Sequence, residues 1–186
     1  MDACIPLAKT ATSSPPEGDL ARLVRELQRG EHGSFDRLVE NSERLARRLA
    51  LPVVGPDLVE DVLQESYLIV YRKVVTLREP ERFNSWFSRI VLHTAYDVVR
   101  KQPRLREISE ELPDRDATES VLSGLAVRGA LAQLERKDRN ILILREMLEF
   151  DYEQIADTLR LKVGTVRSRL HAARKHLADR LNRSKH

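Results

Sequence analysis

Cysteine is nearly absent from this chain of 186 residues: Cys4 stands alone, so no internal disulfide can form and a cysteine-based metal cluster is excluded. Aromatics make up only 5% of the residues against 33% charged, a balance that suits a helical, soluble, intracellular protein better than a β-sandwich. No apolar run is long enough to span a bilayer. The opening "MDACIPLAKTATSSPPEGD" lacks the basic start and long apolar core of a signal peptide, so a cytoplasmic protein with no membrane role is expected. The histidines are scattered without a ligand spacing, and no phosphate loop, dinucleotide fingerprint or nucleophile elbow occurs. No metal, no cofactor and no enzymatic activity are expected.

Charge is present in quantity and unevenly placed. The formal net charge is only +3. Beyond Leu159, however, Arg160, Lys162, Arg167, Arg169, Arg174, Lys175, Arg180, Arg183 and Lys185 face a single acid, Asp179. Between Glu107 and Glu119, six acids face Arg115 alone. A basic end and an acidic middle predict different partners.

The organisation follows from apolar periodicity and its breaks. Residues 1–18, rich in Ser, Thr, Pro and Ala, read as a disordered tail. A 3.6-residue pattern predicts helices near 19–29, 34–51, 57–75 and 83–101, interrupted at "RGEHGS", "LPVVGPD" and "TLREPERF". The stretch 103–119 is acidic and carries few large apolar residues, which reads as a flexible linker. Four further helices are predicted near 120–135, 138–149, 152–160 and 163–183. The expected fold is all-α: two small helical domains, 19–102 and 120–183, on an acidic tether.

The C-terminal stretch "FDYEQIADTLRLKVGTVRSRLHAARKHL" fits a helix-turn-helix. In its second helix Val163, Val166, Leu170, Ala173, Leu177 and Leu181 share one arc. The opposite arc holds Thr165, Ser168, Ala172 and Lys175, flanked by Arg169, His171 and His176. Small polar residues let a helix enter the major groove, and surrounding cations grip phosphates. Arg167 and Arg174 lie nearer the apolar arc and suit phosphate contact. A basic amphipathic helix on a membrane is the competing reading, but its apolar face would want Trp, Phe or Leu rather than Val and Ala.

In the N-terminal half, Asp57, Asp61, Gln64, Leu68 and Tyr71 form one stripe of helix 57–75. Acid, amide and apolar groups mixed in one stripe suggest a protein partner, with an ordinary solvated face as the alternative. In helix 83–101, Asp97 falls on the arc of Phe83, Trp86, Phe87 and Ile90, which predicts a salt bridge to Arg44, Arg47 or Arg48. Leu92, Tyr96 and Val99 point the other way. With Arg89, Arg100 and Lys101 they would make a basic surface with an aromatic, suited to single-stranded nucleic acid.

The stretches "VEDVLQESYLIVYRK", "FNSWFSRIVLHTAYDVVRK" and "ALAQLERKDRNILILREMLEFDYEQIADTLRLKVGTVRSRLHAARKHL" occur in that order, split by the acidic linker. Together they resemble a bacterial RNA polymerase sigma factor of the extracytoplasmic-function (ECF) class. The resemblance implies a protein that binds core RNA polymerase and directs promoter-specific initiation. Asp61, Gln64 and Glu65 match positions that meet the clamp helices of the largest polymerase subunit, in agreement with the stripe. The "REPERFNSW" loop, with Arg82, Phe83 and Asn84, matches the place where a flipped base of the −10 element is captured. Thr165, Arg167, Ser168 and His171 match positions that read the −35 element in duplex DNA. The linker resembles a connector that follows the RNA path. An anti-sigma factor is a commonly implied partner.

The chain departs from the family pattern at Leu92-His93, where "RN" is frequent, which weakens the inference of −10 contacts there. Ala172 stands in place of a frequent arginine. Arg160 and Lys162 replace a frequent Gly and Ser at the turn and the helix cap. A left-handed arginine costs on the order of 1 kcal/mol relative to glycine, and loss of a Ser-type cap costs about as much. Near DNA, both cations would favour phosphate; drift tolerated by the surrounding packing is the alternative. Without the resemblance, a stand-alone helix-turn-helix regulator and a helical adaptor also stay open.

Overall fold

The structure, a computed structural model, describes residues 17–101, 127 and 129–183. The linker expected at 103–119, Cys4 with most of the tail, and the first half of the helix expected at 120–135 lie outside these residues.

Helix α1, Glu17–Gln28, begins before the expected end of the tail. Asp19, in the first turn, places negative charge near the positive end of its dipole. Leu20, Ala21, Leu23 and Val24 give it a buried face, and Gly30, at φ 77°, turns the chain out of it. Gln28 Nε2 donates to the carbonyls of Val74 (3.0 Å) and Leu77 (2.8 Å), tying α1 to a short 3₁₀ turn at Val74–Thr76.

Helix α2, Ser34–Val54, runs past Pro52 rather than stopping before it. The helix ends instead at Gly55, whose φ of 77° suits glycine and whose N–H closes on the Leu51 carbonyl at 3.0 Å. Helix α3, Val59–Lys73, is trimmed at both predicted ends. Helix α4 spans Phe83–Lys101, as its periodicity predicts. Phe83 and Phe87 stack at 5.3 Å, and Phe87 meets Tyr67 at 5.4 Å. The Tyr67 hydroxyl is satisfied by Ser42 Oγ (3.0 Å) and the Val39 carbonyl (3.3 Å), and burial pushes its pKa up to about 12.

Asp97 does not pair with α2. It pairs within its own helix, with His93 Nδ1 and Arg100 Nη2, each at 3.0 Å. Its carboxylate is a quarter exposed, so neighbours one turn away suffice. Arg47 instead joins Glu43 and Glu60, which raise its pKa.

In the C-terminal half, residues 129–132 are helical, followed by α5, Arg136–Leu142. Where a continuous helix to 149 is predicted, the chain widens into a π-turn at Ile143–Met147 and ends at Glu149, at φ 58°. That widening aims Ile143 and Leu144 into the core, both fully buried. Helix α6, Tyr152–Leu159, and helix α7, Val163–Arg183, cross to complete the core with Ile155, Ala156, Val166, Leu170, Ala173 and Leu177. Val163, assigned to the same arc, is 36% exposed at the start of α7.

The two halves are in contact. Helix α6 packs on α4, so the second module covers part of the first.

Candidate polymerase and nucleic-acid surfaces

The α3 stripe is exposed as expected. Asp57, Asp61, Gln64, Leu68 and Tyr71 all face solvent. Leu68 is 56% and Tyr71 63% exposed, which is unusual for large apolar groups. Tyr71 is held edge-on against Phe35 at 5.2 Å, so the stripe has one fixed aromatic. Glu65 lies at its edge, half-buried, 3.9 Å from Lys101.

Helix α7 presents the second surface. Ser168, His171 and Lys175 are exposed, and Thr165, Arg169 and Ala172 are half-buried along the same side. Ser168 Oγ turns back to the Thr165 carbonyl at 3.2 Å. Arg167 leans toward the Tyr152 ring, 6.0 Å from its centroid, which keeps it at the rim. Arg174 is taken by Glu146 at 2.7 Å and His176 by the buried Asp138 at 2.6 Å, so both brace α7 against α5 and its π-turn. Arg160 adopts the left-handed conformation the turn demands (φ 54°, ψ 52°), and the Leu161 N–H closes α6 on the Ala156 carbonyl at 2.9 Å. Lys162 caps α7 with its carbonyl alone, accepting from Thr165 N (2.9 Å) and Val166 N (3.1 Å).

The residues expected to meet −10 DNA are divided by the fold. Phe83 is 1% exposed and stacked in the core, and Asn84 is 8% exposed, so neither is available as expected. Leu92 does not point outward: α6 and α5 cover it, leaving 3% exposed. Tyr96 donates to Asn140 Oδ1 at 2.7 Å beneath the Arg136 guanidinium, 4.0 Å from the ring centroid, and burial raises its pKa. Arg89 donates through Nε to the Thr158 carbonyl at 3.1 Å and through Nη2 to the Asp157 carbonyl. Burial, and then the nearby Arg160 charge, lower its pKa. Arg82 pairs with Asp157 at 3.0 Å. His93, Arg100 and Lys101 stay exposed. The surface read as basic with an aromatic is therefore closed over by the second module at Arg89, Leu92 and Tyr96, and open at Arg100 and Lys101.

Two local devices escaped the sequence reading. Asp151 and Gln154 form a reciprocal capping box at the start of α6, with bonds of 2.7 and 2.8 Å. The signal was the D-x-x-Q of "DYEQ". Arg139 donates to the carbonyls of Leu131 (2.8 Å), Leu134 (3.1 Å) and Ala132, closing the helical stretch 129–132; an arginine aimed at main chain leaves no comparable pattern. Among the described residues no helix is long and apolar enough to cross a membrane.

Residues 38–105 match the family model described as Sigma-70 region 2, and residues 124–177 match Sigma-70, region 4. The chain is 32% identical over 159 residues to "ECF RNA polymerase sigma factor SigE" of Mycolicibacterium smegmatis, covering 80% of this chain and 62% of that protein. It is 32% identical over 139 residues to "RNA polymerase sigma factor SigV" of Bacillus subtilis, covering 73% of this chain and 84% of that protein. Its fold is similar to the sigma factor RpoE of Bartonella quintana, solved in complex with the anti-sigma factor NepR. The TM-score is 0.63 at 22% identity, over 80% of this chain and 96% of that one.

Proposed function

The chain belongs to the ECF-type sigma factors of the sigma-70 family, which direct RNA polymerase to promoters, and we propose that its surfaces divide that work between them. The α3 stripe, with Asp57, Asp61, Gln64, Glu65 and Leu68, docks on core polymerase. Leu68 and Tyr71 supply apolar contact inside a ring of polar groups. Helix α7 enters the major groove at the −35 element, with Thr165 and Ser168 against base edges. Arg160, Lys162, Arg167, Arg169, His171 and Lys175 surround them and face phosphates. Arg82, Arg89, His93, Tyr96, Arg100 and Lys101 serve the −10 element, three of them (Arg82, Arg89 and Tyr96) once the second module has left α4. These events occur where polymerase and chromosome meet, so we place the chain in the cytoplasm. An anti-sigma protein, such as the one that accompanies RpoE, is an inferred partner.

The observation that carries this reading is the row of small polar side chains on an exposed helix, surrounded by cations. Run-off transcription with core polymerase tests it. Start sites should map downstream of a common pair of elements. The double variant Thr165→Ala, Ser168→Ala should lose dependence on the upstream element alone. Absence of both core binding and promoter-specific initiation would refute the reading.

A further inference from the structure

Between α4, α5 and α6 lies an open cleft of about 670 Å³, a size that accommodates small-molecule ligands. Cations from both modules line it: Arg89 from α4, Arg136 and Lys137 from α5, Arg160 after α6 and Arg169 from α7. Its acid is Glu135, which Lys137 already holds at 2.8 Å. Arg89 spends two donors on carbonyls, which accept hydrogen bonds without neutralising its charge. Leu159, half-buried, supplies an apolar wall.

The charges are crowded as well as numerous. Burial, and then the Arg160 charge, disfavour the charge on Arg89. That pair joins α4 with the turn after α6, and its crowding exists only while the modules are together. Arg136, Lys137, Arg160 and Arg169 belong to the second module and Arg89 to the first. An anion that reaches Arg89 as well would be bound more tightly by the closed arrangement than by the second module alone, which is the condition for a ligand to shift that equilibrium.

We propose that this cleft is a binding site for a small phosphorylated anion of the nucleoside diphosphate class, whose occupation holds the two modules together. The diphosphate lies among the cations of both modules, and the remainder of the ligand packs on Leu159. Occupation would withhold Arg89 and Arg160 from promoter DNA, a consequence that rests on the function proposed above, whereas binding itself does not.

Titration calorimetry of the full chain with ADP, with pyrophosphate and with sulfate at matched ionic strength tests the site without any DNA or polymerase. ADP and pyrophosphate should bind at least tenfold more tightly than sulfate. Equal binding by the two assigns the site to the diphosphate group, and tighter binding by ADP adds the apolar wall. Lys137→Ala, at an exposed position outside both DNA-reading sets, should weaken ADP binding about tenfold with an unchanged circular dichroism spectrum. ADP should also slow amide exchange at Thr158 and Leu159. The proposal is overturned if neither phosphate compound outcompetes sulfate, if Lys137→Ala binds ADP as the parent does, if exchange is unaffected, or if the cleft takes an oligothymidylate in preference to ADP.

Discussion

Arg89 of α4 donates to the main-chain carbonyl of Thr158 at 3.1 Å, and so closes the last turn of a helix in the other module. A helix ends with carbonyls that have no partner of their own. Here the partner comes from the surface expected to meet melted −10 DNA. Loss of a bond to a charged donor costs about 1.5–3 kcal/mol where the site is dry, and less at this half-buried one.

Arg89→Ala should therefore loosen the contact between modules. Small-angle scattering of the free chain should give a larger radius of gyration than the parent, while helical content stays the same. An unchanged radius would mean that Ser85, Tyr96 and Arg136 hold the modules without it.

Leu68→Ala should weaken binding to core polymerase by about tenfold, roughly 1.4 kcal/mol, as expected for an apolar anchor in a docking surface. Because Leu68 is 56% exposed, the melting temperature should hardly move. A pull-down titration paired with a thermal melt separates the two effects.

Arg160→Gly with Lys162→Ser should raise stability and weaken phosphate grip together. Glycine removes the left-handed strain, worth on the order of 1 kcal/mol, and serine restores a side-chain cap worth about the same. The slope of log affinity against log salt for −35 duplex DNA should become shallower by about one to two units. A higher melting temperature with an unchanged slope would reduce the two cations to tolerated drift.

Tyr67 gives a stability change with a definite sign. Its folded pKa is about 12 against 10.0 for the unperturbed group, so the unfolded chain loses this proton first as pH rises. Its contribution is complete below pH 10 and is lost as pH rises through the interval to about 12. The slope there is at most about 1.4 kcal/mol per pH unit. Tyr67→Phe should flatten the fall in melting temperature between those values relative to the parent. Equal alkaline slopes would contradict the shift.

The bounds of α4 and α7 were legible because apolar periodicity runs unbroken from end to end in both. The left-handed turn at Arg160 was legible for a related reason: a tight turn between two crossing helices needs it, whatever residue is there. The π-turn at Ile143–Met147 was not, since one extra residue per turn leaves an apolar stretch looking helical. Pro52 suggested an end to α2 that Gly55 supplies instead. The exposed stripe of α3 and the polar side of α7 were readable because each lies on one helix. The −10 face was misread at Leu92 because its cover comes from residues more than forty positions later, around Asn140 and Leu159. Asp97 was misassigned because helical projection shows which side a residue faces and not how far its charged end reaches.

The junction between modules has a further property in its choice of acceptors. Arg89 addresses the carbonyls of residues 157 and 158, and Ser85 donates to the carbonyl of Gln154 at 3.2 Å. Main-chain oxygens are present whatever side chains surround them. These contacts are consequently indifferent to which exposed side chains α6 carries. Exposed residues of α6 and α7 can be exchanged while the main-chain part of the seam is inherited intact.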